Sequence, residues 1–230
     1  DEARRVAERA WFEGFGQVAL VAPESNWGHR VGSAFTDAWT ELGGLVVDQE
    51  SYESNSLDMS PPISALLGID QSRQRYRDVS RTLGLNLKHE TRRRRDVDFI
   101  FMAAFPRQAR SLRPQLRFHH AADLPVFATY HVYAGVPDPA ADADLDGVWF
   151  GDMPWVLVEG GAHGRLRLES EGVWGTMFAR NARLYAFGVD AYVIVPQLGQ
   201  LRAQPSTELE GETGWLSVDE NNRIRRRLQW

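Results

Sequence analysis

Residues 17–47 carry the pattern that most limits the fold. Gln17 to Ala22 is a short apolar run, and Pro23-Glu-Ser-Asn-Trp-Gly28 reads as a loop in which Ser25 or Asn26 caps the next helix. From Val31 the apolar residues Val31, Ala34, Phe35, Ala38, Trp39 and Leu42 recur at intervals of three and four, so one helix face is buried until Gly43-Gly44 stops it. Leu45 to Val47 then begins another strand. Two strands joined by one helix through short loops cannot form a hairpin. They must lie parallel, with a right-handed crossover.

The unit recurs. Residues 2–13 form a weak helical pattern, Ile63 to Leu67 and Tyr76 to Leu83 give helical patches, and Val97 to Ala103 is the continuous apolar run of a strand covered on both faces. Arg107 to Phe118 is helical by the spacing of Ala109, Leu112 and Leu116, with Pro114 expected to bend it or begin a second segment. Pro125 to Thr129 and Val148 to Phe150 supply two more strands. The expectation is a five-stranded α/β lobe over residues 1–150. Residues 151–230 differ: Gly160-Gly161 and Gly164 read as a flexible connection, and Val173 to Leu201 as one long helical region with Gly188 and Pro196 as weak points. A terminal hairpin turns at Asp219 to Asn222, with Ile224, Leu228 and Trp230 on one face and Arg223, Arg225 and Arg227 on the other.

Composition removes several functions. Hydrophobic residues at 43% with 25% charged exclude disordered and collagen-like classes, and no apolar run approaches the ~20 residues of a membrane span. The absence of cysteine removes disulfides, thiolate metal sites and cysteine nucleophiles. A net charge of −5 argues against a nucleic-acid partner, which needs a basic footprint. The start, Asp1-Glu-Ala-Arg-Arg, shows no signal-peptide succession.

The best chemical lure is Asp142, Asp144, Asp146 and Gly147, which fill the first, third, fifth and sixth places of a calcium loop. Its twelfth place is Met153, where a bidentate Glu is needed, so no metal is expected there. No Gly-x-Ser-x-Gly elbow, phosphate loop or His-Glu-x-x-His occurs, and no cofactor is expected. His119-His120 reads as a polar helix terminus. Ligands of α/β sheets bind outside the carboxyl ends of the strands. Those ends carry Ser25, Asn26 and Trp27, then Phe105, then Tyr130 and His131, then Asp152, which are the candidate lining of a ligand cleft. The run Arg92, Arg93, Arg94, Arg95 could hold a phosphate or an acidic partner, or form a solvated loop offset by Glu90, Asp96 and Asp98.

Two stretches resemble type I periplasmic binding proteins. Pro23-Glu-Ser-Asn-Trp-Gly-His-Arg with Phe35-x-x-x-Trp39-x-x-x-Gly43-Gly is similar to the opening of that fold's second lobe, and Gly211 to Arg225 to its late hairpin. More specifically, Ile69-Asp-x-Ser72, Arg92 to Asp98, Pro125 to Thr129, Asp146 to Trp155 and Arg183 to Ala191 resemble, in order, the C-terminal domain of the LppC/LpoA family. These are outer-membrane lipoproteins that activate class A penicillin-binding proteins. The resemblance implies a periplasmic, non-catalytic regulator whose partner is a peptidoglycan synthase, with membrane contact only through a lipid anchor outside these residues. A periplasmic solute-binding protein for a small polar ligand is the alternative. The family's lipidated cysteine, its helical-repeat domain and most of the first lobe have no counterpart here. The second lobe is then expected whole and the first only in part. The helix at 173–201 would lack the sheet it covers, which implies repacking or a homodimer through its apolar face.

Overall fold

The computed structural model describes residues 2–85, 88–158, 161–204 and 206–230. The chain divides into two compact units, the first of residues 1–133 and 138–150, the second of Ala134–Pro137 and Gly151–Trp230.

The first unit runs α1 (Glu2–Phe12), β1 (Gln17–Pro23), α2 (Asn26–Glu41), β2 (Leu45–Tyr52), α3 (Ser60–Leu66), α4 (Ile69–Leu83), β3 (Phe99–Met102), α5 (Pro106–Leu116), β4 (Val126–Ala128), α6 (Pro139–Asp142) and β5 (Val148–Phe150). Its five strands are all parallel, in the order β2-β1-β3-β4-β5. Alternate residues serve opposite faces. Ala19, Val21, Ile100, Met102, Val126 and Ala128 meet Ile63, Leu66, Ala109, Leu112 and Leu116 of the helices on one side. On the other, Phe35 of α2 stacks on Phe101 at 3.8 Å between centroids and Trp39 meets Phe99 edge-on at 5.2 Å. Double coverage is why β1 and β3 read as unbroken apolar runs.

Of the two expected caps it is Ser25 that caps α2, its hydroxyl accepting from Gly28 N at 3.1 Å, so the helix begins at Asn26. Gly28 is required there, because a Cβ would lie 2.0 Å from the Pro23 carbonyl oxygen. β2 extends to Tyr52, well past Val47, as an edge strand with polar residues at Asp48, Gln49 and Glu50. Pro114 neither bends α5 nor starts a new segment. It sits in the last turn, where only one internal bond is lost, and the irregularity falls later, in a π-turn at Arg117–Ala121 with His120 at φ +64°.

The second unit contains α7 (Pro154–Leu157), α8 (Gly161–Trp174), α9 (Thr176–Ile194), α10 (Leu198–Ala203), β6 (Leu209–Gly211), β7 (Gly214–Val218) and β8 (Ile224–Arg227). The helical region expected at 173–201 is three helices. One break is at Gly175, at φ +55°, and the other is the 3-10 turn Val195–Gln197 around Pro196. Gly188 is no weak point, since α9 runs through it; a helical glycine carries only a propensity cost. Gly161 and Gly164 lie within α8 and not in a flexible connection, while Gly160 is outside the described residues. The terminal hairpin gains a third antiparallel strand, β6, and buries Ile194, Leu201, Leu216 and Val218 in a small core. Ile224, expected on an apolar face, stays 46% exposed. Asp190 ties α9 to this sheet. Its carboxylate accepts from Glu212 N at 2.7 Å, Thr213 N at 2.8 Å and the Thr213 hydroxyl at 2.5 Å.

Candidate functional site

Parallel strands deliver their following residues to one edge of the sheet. There β1 leads into Trp27, β3 into Phe105 and β4 into Tyr130 and His131, and the four rings form one cluster. Trp27 stacks on Phe105 at 4.5 Å, His131 meets Trp27 edge-on at 4.9 Å, and Tyr130 stacks on His131 at 4.1 Å. His131 is oriented by Thr129, whose hydroxyl lies 3.1 Å from Nδ1, and the Glu2 carboxylate of α1 lies 3.8 Å from the same nitrogen. Thr129 and Glu2 escape sequence reasoning. Thr129 could have been found as the strand-end neighbour of His131, whereas nothing local marks Glu2. Phe105 is half exposed, so the cluster presents flat apolar faces with one polar ring edge. Ser25 is occupied as the helix cap, and Asn26 is exposed on the first turn of α2.

Asp152 belongs to the second unit. Its side chain is 1% exposed and its carboxylate is saturated. Arg183 donates from Nη2 at 2.5 Å and from Nε at 3.0 Å, and Met153 N donates at 2.8 Å. The Asp152 backbone also pairs with Gln229 in both directions, N to O at 2.9 Å and O to N at 3.0 Å. Asp152 therefore acts as a pin between the start of the unit, α9 and the chain's end.

The four arginines part company. Arg94 turns inward, donating to Asp48 at 2.6 Å and to both oxygens of Asp96 at 2.8 and 2.9 Å. These bonds hold the Asp96 carboxyl below the usual carboxylate range and raise Arg94. Arg93 pairs with Asp123 at 2.5 Å and Arg92 with Glu90 at 3.1 Å. Arg92, Arg93 and Arg95, with Glu90, Thr91, His120 and Asp123, line a cavity of about 440 Å³. Asp123 carries no sequence signal, and His120 is visible in the sequence only as part of a polar helix terminus.

The aspartates of the calcium-like series go separate ways. Asp142 accepts from Arg110 at 2.7 Å and from Asp138 N at 2.8 Å, and the Asp146 carbonyl accepts from Arg113 Nε at 3.1 Å. Among the described residues no three metal-binding side chains converge, and no helix is long and apolar enough to cross a membrane.

The family model described as "LppC putative lipoprotein" matches residues 1–230. The penicillin-binding protein activator LpoA of Photobacterium profundum is 27% identical over 230 residues, which is all of this chain and 37% of that protein's length. Among solved structures, the LpoA C-domain from Haemophilus influenzae, a regulator of PBP1A, superposes with a TM-score of 0.65 at 23% identity, covering 99% of this chain and 62% of that one. A solute-binding protein of an ABC transporter from R. palustris, in complex with benzoate, gives 0.57 at 12% identity over 97% of this chain and 57% of that one. These two likenesses establish the fold, that of the periplasmic binding proteins.

Proposed function

The chain belongs to the LppC family, and from that premise we propose that it is a regulatory, non-catalytic domain that binds and activates a class A penicillin-binding protein. The observation that carries this reading is the family match over residues 1–230, together with a relative named as a penicillin-binding protein activator. The chain spans 37% of that relative's length, so the activity named there is that of a protein longer than these residues. In this reading the longer protein is lipid-anchored at the outer membrane and the present residues stand in the periplasm. They correspond to the second lobe and the late part of the first, in keeping with the 62% coverage of the structural neighbour.

The commitments of the polar side chains support a binding role over a chemical one. Ser25 caps a helix, Asp152 is saturated by Arg183, and Asp142 is held by Arg110. An activated nucleophile or an acid and base pair needs free groups facing one reacting atom. A second reading, a small-ligand site, rests on the ring cluster of Trp27, Phe105, Tyr130 and His131, which would take a flat ligand more readily than a polar one.

The test is a reconstitution. A purified class A penicillin-binding protein is mixed with this chain and with the same chain carrying Trp27→Ala and Phe105→Ala, and binding and glycan polymerisation are followed. Binding with faster polymerisation is expected. If the unaltered chain neither binds nor stimulates, while a ligand panel raises its melting temperature, the second reading takes over.

A further inference from the structure

We propose that Arg92, Arg93, Arg95 and His120 form a binding site for a phosphate group on a small solute, at the amino-terminal edge of the parallel sheet. This edge is opposite the strand ends that carry the ring cluster, since residues 90–95 precede β3 and residues 120–123 precede β4.

Three arginines border one cavity of about 440 Å³. Like charges converge on a shared space at a cost unless an anion lies among them. The chain supplies two anions of its own, Glu90 for Arg92 and Asp123 for Arg93, and among the described residues no carboxylate pairs with Arg95. Both internal anions are loosely held. The Glu90 and Asp123 side chains are 80% and 70% exposed, and each meets its arginine through a single contact. Arg93 is different, with its side chain only 18% exposed. A poorly hydrated guanidinium facing an exposed, singly bonded carboxylate is a site in which an outside oxyanion can replace the internal one with a two-point fork.

His120 provides the independent observation. Its backbone sits at φ +64°, in the left-handed region, and the side chain lines the cavity as a fourth nitrogen donor beside the arginines. Arg94 marks the contrast, because Asp48 and Asp96 already take its donors. The cavity exceeds the size of a lone phosphate, which leaves room for the group that carries it. The net charge of −5 opposes adsorption to an anionic bilayer, so the ligand is a solute instead of a membrane surface.

The proposal is independent of the cell-wall reading, and its test uses no synthase. Backbone amide shifts of the whole chain are followed by NMR during titration with inorganic phosphate, against acetate and chloride at equal ionic strength. Saturable shifts at residues 90–95 and 120–123 are expected with phosphate only. Arg92→Ser with Arg95→Ser should weaken phosphate by about tenfold or more, with melting unchanged, since charge-assisted bonds are lost from exposed side chains. Asp123→Asn, which removes the internal competitor, should tighten it by about two- to fivefold. His120→Gly relieves the backbone and should weaken binding while preserving the fold. Phosphate shifts that do not saturate, or that persist in the double arginine variant, overturn the site. So does arginine-dependent binding to phosphatidylglycerol vesicles without any response to free phosphate.

Discussion

The two units hold themselves together by different means. In the first, the central strands are covered on both faces, and Val18, Leu20, Phe99, Phe101 and Val126 have no exposed surface. In the second, much of the apolar surface stays outside: Leu184 is 70% exposed, Tyr192 83%, Val173 73% and Val195 64%. Its fixed points are polar instead, the Asp152–Arg183 pair and the Asp190 carboxylate on the Glu212–Thr213 backbone. The parallel lobe is thus stabilised chiefly by buried area and ring packing, whereas the helix and hairpin unit adds these directional contacts to smaller cores around Trp155 and Phe178 and around Leu201 and Leu216. Each should fail through a different kind of substitution.

The largest effect is expected in those central strands. Phe101→Ala removes a fully buried ring stacked on Phe35 and should cost about 3–5 kcal/mol in urea unfolding. A loss near 1 kcal/mol would mean that the sheet collapses around the gap and that its packing is no more demanding than the second unit's. Next comes the pin. Asp152→Ala leaves Arg183 without its carboxylate, but that guanidinium is 22% exposed and can partly rehydrate. The cost should be about 2–3 kcal/mol, at the lower edge of what breaking a buried pair does. Amide exchange should rise first around residues 151–155 and 183.

The same contrast explains what could be read from sequence. Fully covered strands such as Phe99–Met102 advertise themselves as apolar runs, and the strand ends that follow carry Trp27, Phe105, Tyr130 and His131, whose rings touch. The polar half of β2 and the short β6 give no such signal. β2 runs on through Asp48 and Glu50, and β6 is only Leu-Glu-Gly. Gly188 and Gly175 look alike in sequence, yet only Gly175 takes a positive φ and breaks the helix. The arginine run could be seen but not resolved. What divides Arg94 from its neighbours is Asp48, 46 residues away, and Arg93 depends on Asp123, 30 residues away. Such pairs exist only after the sheet has formed.

A smaller, pH-dependent effect belongs to the first unit. His119 is 7% exposed and its Nε2 has no hydrogen-bond partner among the described residues. Burial pushes its pKa below the ordinary 6.5, helped by Arg73 and His120 and opposed by Asp70 and Asp58. The fold therefore favours the neutral ring. Its contribution is complete above about pH 6.5, and it is lost as pH falls through the lower folded value. Melting midpoints should decline as pH drops from 7 to 5, and His119→Gln should flatten part of that decline. An unchanged slope in the variant would remove His119 from the account.

The smallest effect should come from the apolar face of α9, and it is the sharpest test of the contrast. Leu184, Tyr185, Gly188, Val189 and Tyr192 border an open cavity of about 580 Å³. Truncating an exposed side chain deletes little buried area, and alanine is the better helix former. Leu184→Ala with Tyr192→Ala should therefore change stability by no more than about 0.5 kcal/mol. The measurement is urea unfolding at two protein concentrations about tenfold apart, where a monomer gives the same midpoint and an assembly does not. A concentration-independent midpoint with a negligible mutational loss keeps α9 as a free surface. A loss above about 1 kcal/mol that grows with concentration would show this face buried between copies, since only interface residues of that size cost so much when cut back. The second unit would then share the area-driven stability of the first, supplied by another molecule.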